Sequence, residues 1–171
     1  LASTVGVDLP VLPVMRSVYT VETHLDSKLP SVFAPSGLYV LPERDGHFLV
    51  AWSQPDDPVG FDFTLARARF DDLIWPELVE WFPAFESLHV TGGWAGLYEV
   101  TPDHNALLGE VPSVSRFLYA CGFSGHGFLQ GPAVGEVMRD LVIGRKPFID
   151  LAPLDVARFA AGAARPEMYV V

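Results

Sequence analysis

The chain has 171 residues, half of them apolar, with 21 acidic against 11 basic side chains and a formal net charge of −10, which describes a single globular unit able to build a core without staples. One cysteine and five scattered histidines argue against a disulfide framework or a structural zinc site. The charge repels a phosphate backbone, so no nucleic-acid partner is expected, and no apolar run approaches the roughly 18 residues of a membrane span, so no membrane partner is expected either.

The opening Leu1-Ala2-Ser3-Thr4 carries neither a basic flank nor an apolar core, so no targeting peptide is expected and the compartment implied is the cytoplasm. In chain order, the β-branched and aromatic residues Val14, Val18, Tyr19, Val21 and Thr23 predict a strand over 14–23. Residues 38–41 and 48–53 flank Asp45-Gly46, a dipeptide suited to positive φ, which predicts a tight hairpin. Over 61–82 the spacing of Leu65, Ala68, Phe70, Leu73, Ile74, Leu78 and Trp81 is helical, with Pro76 expected to divide the stretch into two helices. Strands are predicted at 87–91, 96–100, 107–111 and 117–121. After a glycine-rich segment, a helix is predicted over 132–143, with Pro132 as its first residue, Gly144 as its stop, and Arg145 and Lys146 near the negative end of its dipole. Val134, Val137, Met138, Leu141 and Val142 form its core face. His24, His47 and His89 stand singly, without metal-ligand spacing.

The segment richest in chemistry is Gly122-Phe123-Ser124-Gly125-His126-Gly127-Phe128, between an apolar strand and a helix. A helix start behind such a loop presents free N–H groups and a positive dipole end to an anion or a developing negative charge. A tight turn without any ligand also needs glycine, so both readings stay open on these residues alone. The order of the glycines is neither a phosphate loop nor the dinucleotide fingerprint. A hydrolase with Ser124 as nucleophile, His126 or His104 as base and Asp103 behind it fails the nucleophile-elbow pattern, which wants glycine at position 126.

The blocks Gly93-Trp94-Ala95-Gly96-Leu97-Tyr98-Glu99-Val100-Thr101-Pro102-Asp103 and Gly122-Phe123-Ser124-Gly125-His126-Gly127-Phe128, followed by Asp150 through Arg158-Phe159, resemble the C-terminal part of the FAD-dependent D-amino-acid oxidase superfamily, in its sarcosine, glycine and dimethylglycine oxidase or dehydrogenase branch. The resemblance implies an α+β fold: a mainly antiparallel substrate-domain sheet with helices over 1–111, then over 112–171 the C-terminal strand and long helix of an FAD-binding domain. It implies that Gly122, Phe123, Ser124, Gly125, His126, Gly127, Phe128 and Leu129 lie against the flavin edge, mostly through backbone donors, where negative charge appears on reduction. His126 suits a cap or a flavin contact. Thr101, Pro102 and Asp103 would shape the turn beside the flavin, with Asp103 as a structural hydrogen-bonding residue, and Tyr39, Trp52 and Arg16 would line the substrate pocket.

The chain also departs from that family's pattern. Its N-terminal Rossmann half, with the glycine fingerprint that binds the ADP part of FAD, has no counterpart here, so the chain is expected to be the C-terminal portion of a longer enzyme whose N-terminal half is supplied in cis or in trans. Alone it is expected not to retain FAD. Gly96 stands where covalent flavin linkage needs cysteine, so the flavin of the parent enzyme would be non-covalent, and Cys121 reads as a buried strand residue. Leu129 stands where monomeric sarcosine oxidases carry the lysine that pairs with the substrate carboxylate, and Leu49 where a lysine assists oxygen; the lysines present, Lys28 and Lys146, fit neither role. The implied activity is oxidation of a C–N bond in a small amine or amino acid, with no strong protein base. The competing reading is a cofactor-free module that self-associates, as a homodimer, through the apolar side of the 132–143 helix.

Overall fold

The computed structural model describes residues 1–25 and 29–167, so Lys28 lies outside the described residues. Its described residues pack as two compact units, one made of Leu1–Pro13 with residues 98–167, the other of Val14–Leu97.

The Val14–Leu97 unit is built on a five-stranded sheet in the order β2-β3-β4-β1-β5, from β1 (Leu12–Glu22), β2 (Val32–Phe33), β3 (Leu38–Pro42), β4 (His47–Trp52) and β5 (His89–Val100). Pairing is antiparallel for β1 with β4, β4 with β3 and β3 with β2. The expected hairpin joins β3 to β4, and Asp45 and Gly46 both take positive φ, 56° and 77°. Alternation along the strands sends Tyr19, Val21, Leu38, Val40, Phe48 and Val50 to one face, where they are buried with Phe70, Ile74, Leu78 and Phe85. The buried Tyr19 hydroxyl donates to the Ala66 carbonyl at 2.6 Å, so burial of a polar group is matched by a partner.

Two details differ from the sequence expectation. The stretch around Pro76 is not cut in two: α1 (Arg67–Arg69) runs through a π turn (Phe70–Ile74) into α2 (Trp75–Trp81). Pro76 sits in the first turn of α2, and the wider π turn ahead of it accommodates a residue that lacks a donor and would crowd the preceding carbonyl. The two strands expected at 87–91 and 96–100 are one strand, β5, because glycine at 93 lets the backbone close on β1: a Cβ there would stand 2.5 Å from the Val18 carbonyl oxygen.

The other unit contains the antiparallel pair β6 (Leu107–Glu110) and β7 (Leu118–Cys121), the long helix α3 (Gly127–Val142) and the short α4 (Ala157–Ala160). Val7, Leu107, Val111 and Tyr119 form its core, with Phe117, Val156 and Phe159 packed against them. α3 does not start at Pro132. It starts at Gly127, and Pro132 lies inside it on an exposed side, where the carbonyl left without a partner meets water instead of a dry core. Val137 is fully buried, Val134, Met138 and Leu141 are half-buried, and Val142 is exposed. Gly144 takes positive φ just past the helix, the stop expected of it, and the Arg116 guanidinium donates to the Leu141 and Val142 carbonyls, capping the negative end of the dipole. Among the described residues no helix is long and apolar enough to cross a membrane.

Gly93→Ala drives a methyl into the Val18 carbonyl, and overpacking of that kind costs roughly 1–3 kcal/mol. Urea unfolding is expected to show a lower midpoint with an unchanged slope; an unchanged midpoint would mean that β5 does not depend on that approach.

Candidate functional site

The glycine-rich loop leaves β7 at Cys121 and enters α3 within a few residues. Its conformation is unusual: Gly122 and Gly125 take φ of 69° and 99°, and between them Ser124, a residue with a side chain, takes φ of 51°. That geometry is held by bonds on all sides. The Ser124 hydroxyl donates to the Gly122 carbonyl at 3.2 Å and accepts from the Thr101 amide at 3.3 Å, and the Ser124 amide donates to the Glu99 carbonyl at 3.0 Å. A Cβ at Gly122 would collide with the Thr101 methyl, so the loop and the turn after β5 touch only because residue 122 has no side chain. Ser124 is buried, and no histidine is among these partners, so it has no base to make it a nucleophile.

The turn itself rests on a buried ion pair. Asp103 and Arg158 are 2% and 3% exposed, and the carboxylate accepts from Arg158 Nε at 2.8 Å and Nη2 at 2.7 Å. The other guanidinium donors reach the carbonyls of Asn105, Ala106 and Asp155, and the guanidinium carbon lies 4.4 Å from the centre of the Phe159 ring. Thr101 donates from its hydroxyl to the Asn105 carbonyl at 2.8 Å. Burial pushes the Asp103 carboxyl up, but the Arg158 bonds, the Asn105 amide and the guanidinium charge outweigh it, so the net direction is down. Pro102 is exposed within this turn.

At the helix start, His126 is the N-cap residue, without a side-chain cap bond. Its amide donates to the Phe123 carbonyl and its own carbonyl accepts from the Gln130 amide, while Gly127 closes on the Phe123 side chain, where a Cβ would stand 3.2 Å from Phe123 Cβ and 3.3 Å from the first ring carbon. Among the described residues, the amides of Gly125, Gly127, Phe128 and Leu129 have no backbone or side-chain acceptor. Phe128 and Leu129 are 94% and 82% exposed. Four open donors thus cluster at the positive end of a sixteen-residue helix.

Comparison with known proteins decides what this arrangement belongs to. The family model described as FAD dependent oxidoreductase matches residues 1–141. The chain belongs to that family. It is 37% identical over 169 residues to the bovine protein called FAD-dependent oxidoreductase domain-containing protein 1, covering 95% of this chain and 35% of that one. It is 33% identical over 153 residues to glycine oxidase of Pseudomonas putida, covering 90% and 41%. Among solved structures it superposes on glycine oxidase from Geobacillus kaustophilus with TM-score 0.81 and 28% identity, covering 92% and 42%. The fold also matches L-proline dehydrogenase from P. horikoshii with TM-score 0.83 at 24% identity, covering 95% and 44%. The chain therefore spans 35% to 41% of the length of these curated relatives.

The open donors of the loop, backed by the dipole of α3, suit the electron-rich edge of a flavin, the cofactor in the description of this family. The three residues named for the substrate pocket do not share a face. Tyr39 pairs in register with Ala51, and Ala51 with Val18, so Tyr39 and Arg16 fall on one side of the sheet by alternation. Trp52 points to the other side, packs on the core and donates from Nε1 to the Ser36 carbonyl at 2.8 Å. Arg16 is ion-paired with Asp57, which also accepts from Arg69 at 2.6 Å. Tyr39 contacts Phe33, their ring centres 5.6 Å apart.

Cys121 is half-buried, and burial, reinforced by the Glu99 charge, pushes its thiol up to about 11. Sequence reasoning passed over Glu99, although its carboxylate accepts from the Gly122 amide at 3.1 Å; one acid at a strand end carries no pattern. The role of Arg158 has no local sequence signal either, since its partner Asp103 is 55 residues away.

Asp103→Asn leaves the Arg158 charge buried and unpaired, a cost of about 3–5 kcal/mol near neutral pH. Because the folded pKa of Asp103 is depressed, the stabilisation is complete above the unfolded value of about 3.9 and fades as pH falls through the lower folded value. Urea unfolding from pH 7 downward is expected to show the gap between wild type and variant closing only below about pH 4; a gap that is constant with pH would rule the linkage out. For Cys121, disulfide-exchange labelling is expected to be slow at pH 8 and to rise nearly tenfold per pH unit toward its thiol's pKa of about 11.

Proposed function

We propose that this chain is the C-terminal portion of a cytoplasmic FAD-dependent enzyme that oxidises a C–N bond of a small amine or amino acid of the sarcosine or glycine kind. The observation that carries the proposal is the set of four open amides at the start of α3, in a chain of this family. Non-covalent FAD supplies the two-electron acceptor when bound. Gly125, Gly127, Phe128 and Leu129 would hold its electron-rich edge through their amides; Gly122, Phe123, Ser124 and His126 hold the loop in the conformation that leaves those donors open. Thr101, Pro102 and Asp103 form the turn that supports the loop.

In this reading residues 112–171 belong functionally to the FAD-binding domain and residues 1–111 to the substrate domain, while a Rossmann half, in the same polypeptide or a partner, binds the ADP part. Tyr39 offers a hydroxyl toward a substrate carboxylate. Leu129 and Leu49, in place of the two lysines of sarcosine oxidases, favour a dehydrogenase that passes electrons to an acceptor other than oxygen.

The test is expression of the complete reading frame, with flavin absorbance and reduction by glycine, sarcosine, proline and related amines followed under anaerobic conditions and in air. Bound flavin reduced by one of them, and reoxidised faster by an artificial acceptor than by oxygen, is the expected result; a complete protein that binds no flavin overturns it. Phe128→Pro, a substitution tolerated in the first helical turn, removes one open donor. It is expected to weaken FAD binding roughly fivefold, the worth of one net hydrogen bond of about 1 kcal/mol, with the helix content unchanged by circular dichroism.

The second reading, a cofactor-free self-associating module, is favoured by the exposure of Phe128, Leu129, Val142 and Ile143 along and just beyond α3. It requires a colourless protein that stays dimeric on dilution.

A further inference from the structure

Two bonds from the loop converge on a single residue of β5. The Gly122 amide donates to the Glu99 carboxylate, at 3.1 Å from Oε2, and the Ser124 amide to the Glu99 backbone carbonyl at 3.0 Å. The Ser124 hydroxyl closes the circuit by accepting from the amide of Thr101, two residues beyond Glu99. The loop that presents the four open donors is therefore tied at its entrance to one acidic side chain. A bond to a carboxylate is roughly twice as strong as a neutral one.

Glu99 is an exposed residue, so water, and not a neighbouring cation, screens its carboxylate. Among the described residues no arginine, lysine or histidine forms an ion pair with Glu99; Arg158, the buried cation of this unit, spends its donors on Asp103 and three backbone carbonyls. The Glu99 charge is felt along the strand that leads into the loop, since it helps to raise the thiol of Cys121 next to Gly122. A helix dipole and open amides at the loop's exit favour negative charge, and a carboxylate at its entrance opposes it.

We infer that Glu99 is a positioning residue with an electrostatic role: it fixes the 122–128 loop through Gly122 and Ser124, and its charge beside that loop holds the bound flavin at a lower reduction potential than the amides alone would set. The inference rests on the proposed function for its second half and on this chain alone for its first. The two substitutions Glu99→Gln and Glu99→Ala separate the parts, because glutamine keeps an acceptor for Gly122 and loses the charge, while alanine loses both.

In the complete FAD-loaded protein, Glu99→Gln is expected to shift the midpoint potential to more positive values, by about 30 mV for a tenfold change in the two-electron equilibrium constant. Hydrogen exchange at Gly122 and Ser124 is expected to stay near the wild-type rate in Glu99→Gln and to rise at least tenfold in Glu99→Ala. In both variants the Cys121 thiol is expected to titrate at lower pH, a readout that needs no flavin. A flavin-loaded Glu99→Gln protein with an unmoved potential overturns the electrostatic role, and unchanged exchange in Glu99→Ala overturns the positioning role. If the complete protein binds no flavin, the proposed function falls, and the Cys121 titration and the amide exchange still decide whether Glu99 charges and fixes the loop.

Discussion

The bidentate pair of Asp103 and Arg158 carries the architecture of the glycine-loop unit. An arginine buried to 3% exposure is stable there only because every one of its donors finds an oxygen: two on one carboxylate and the rest on the carbonyls of Asn105, Ala106 and Asp155. That requirement dictates the shape of the turn after β5, since the carbonyls must face inward where a turn would otherwise show them to water. Thr101 is then placed so that its amide meets Ser124 and its methyl fills the space that a side chain at Gly122 would occupy. The glycine loop is shaped by a guanidinium it never touches.

The loop also illustrates how a strained conformation is kept. Ser124 in the left-handed region is disfavoured for a residue with a Cβ, yet its hydroxyl and amide make three bonds that no other backbone geometry would offer together. The consequence is that the chain turns into α3 early, at Gly127, and among the described residues the first amides of the helix find no acceptor. Because the chain belongs to the family described as FAD dependent oxidoreductase, those amides are the donors we propose for the cofactor.

Much of this was legible in advance. The hairpin at Asp45-Gly46, the helical period around Phe70 and Leu78, and the glycine loop all come from short-range chemistry: turn residues that tolerate positive φ, and apolar spacing that matches one element only. The two helix errors share one cause. Proline rules placed the helix start at Pro132 and a break at Pro76, but a proline on an exposed helix side, or behind a π turn, costs less than tertiary packing returns. Nor does strand sequence show which way a side chain points once the register is set by a partner strand, so Tyr39 and Trp52 looked like neighbours of one pocket and face opposite sides of the sheet.

The amino-acid order by itself determined the family, the antiparallel sheet with few helices, and the position of the glycine-rich turn between strand and helix, because these follow from local conformational preference and from motifs read along the chain. Only the tertiary structure decided that Asp103 belongs to Arg158, that Gly122 yields its side-chain space to Thr101, and that Glu99 ties down the loop. Those are contacts between residues far apart in sequence, and their partners are selected by the need to satisfy buried polar groups and to fill space, conditions that exist only once the chain has closed on itself.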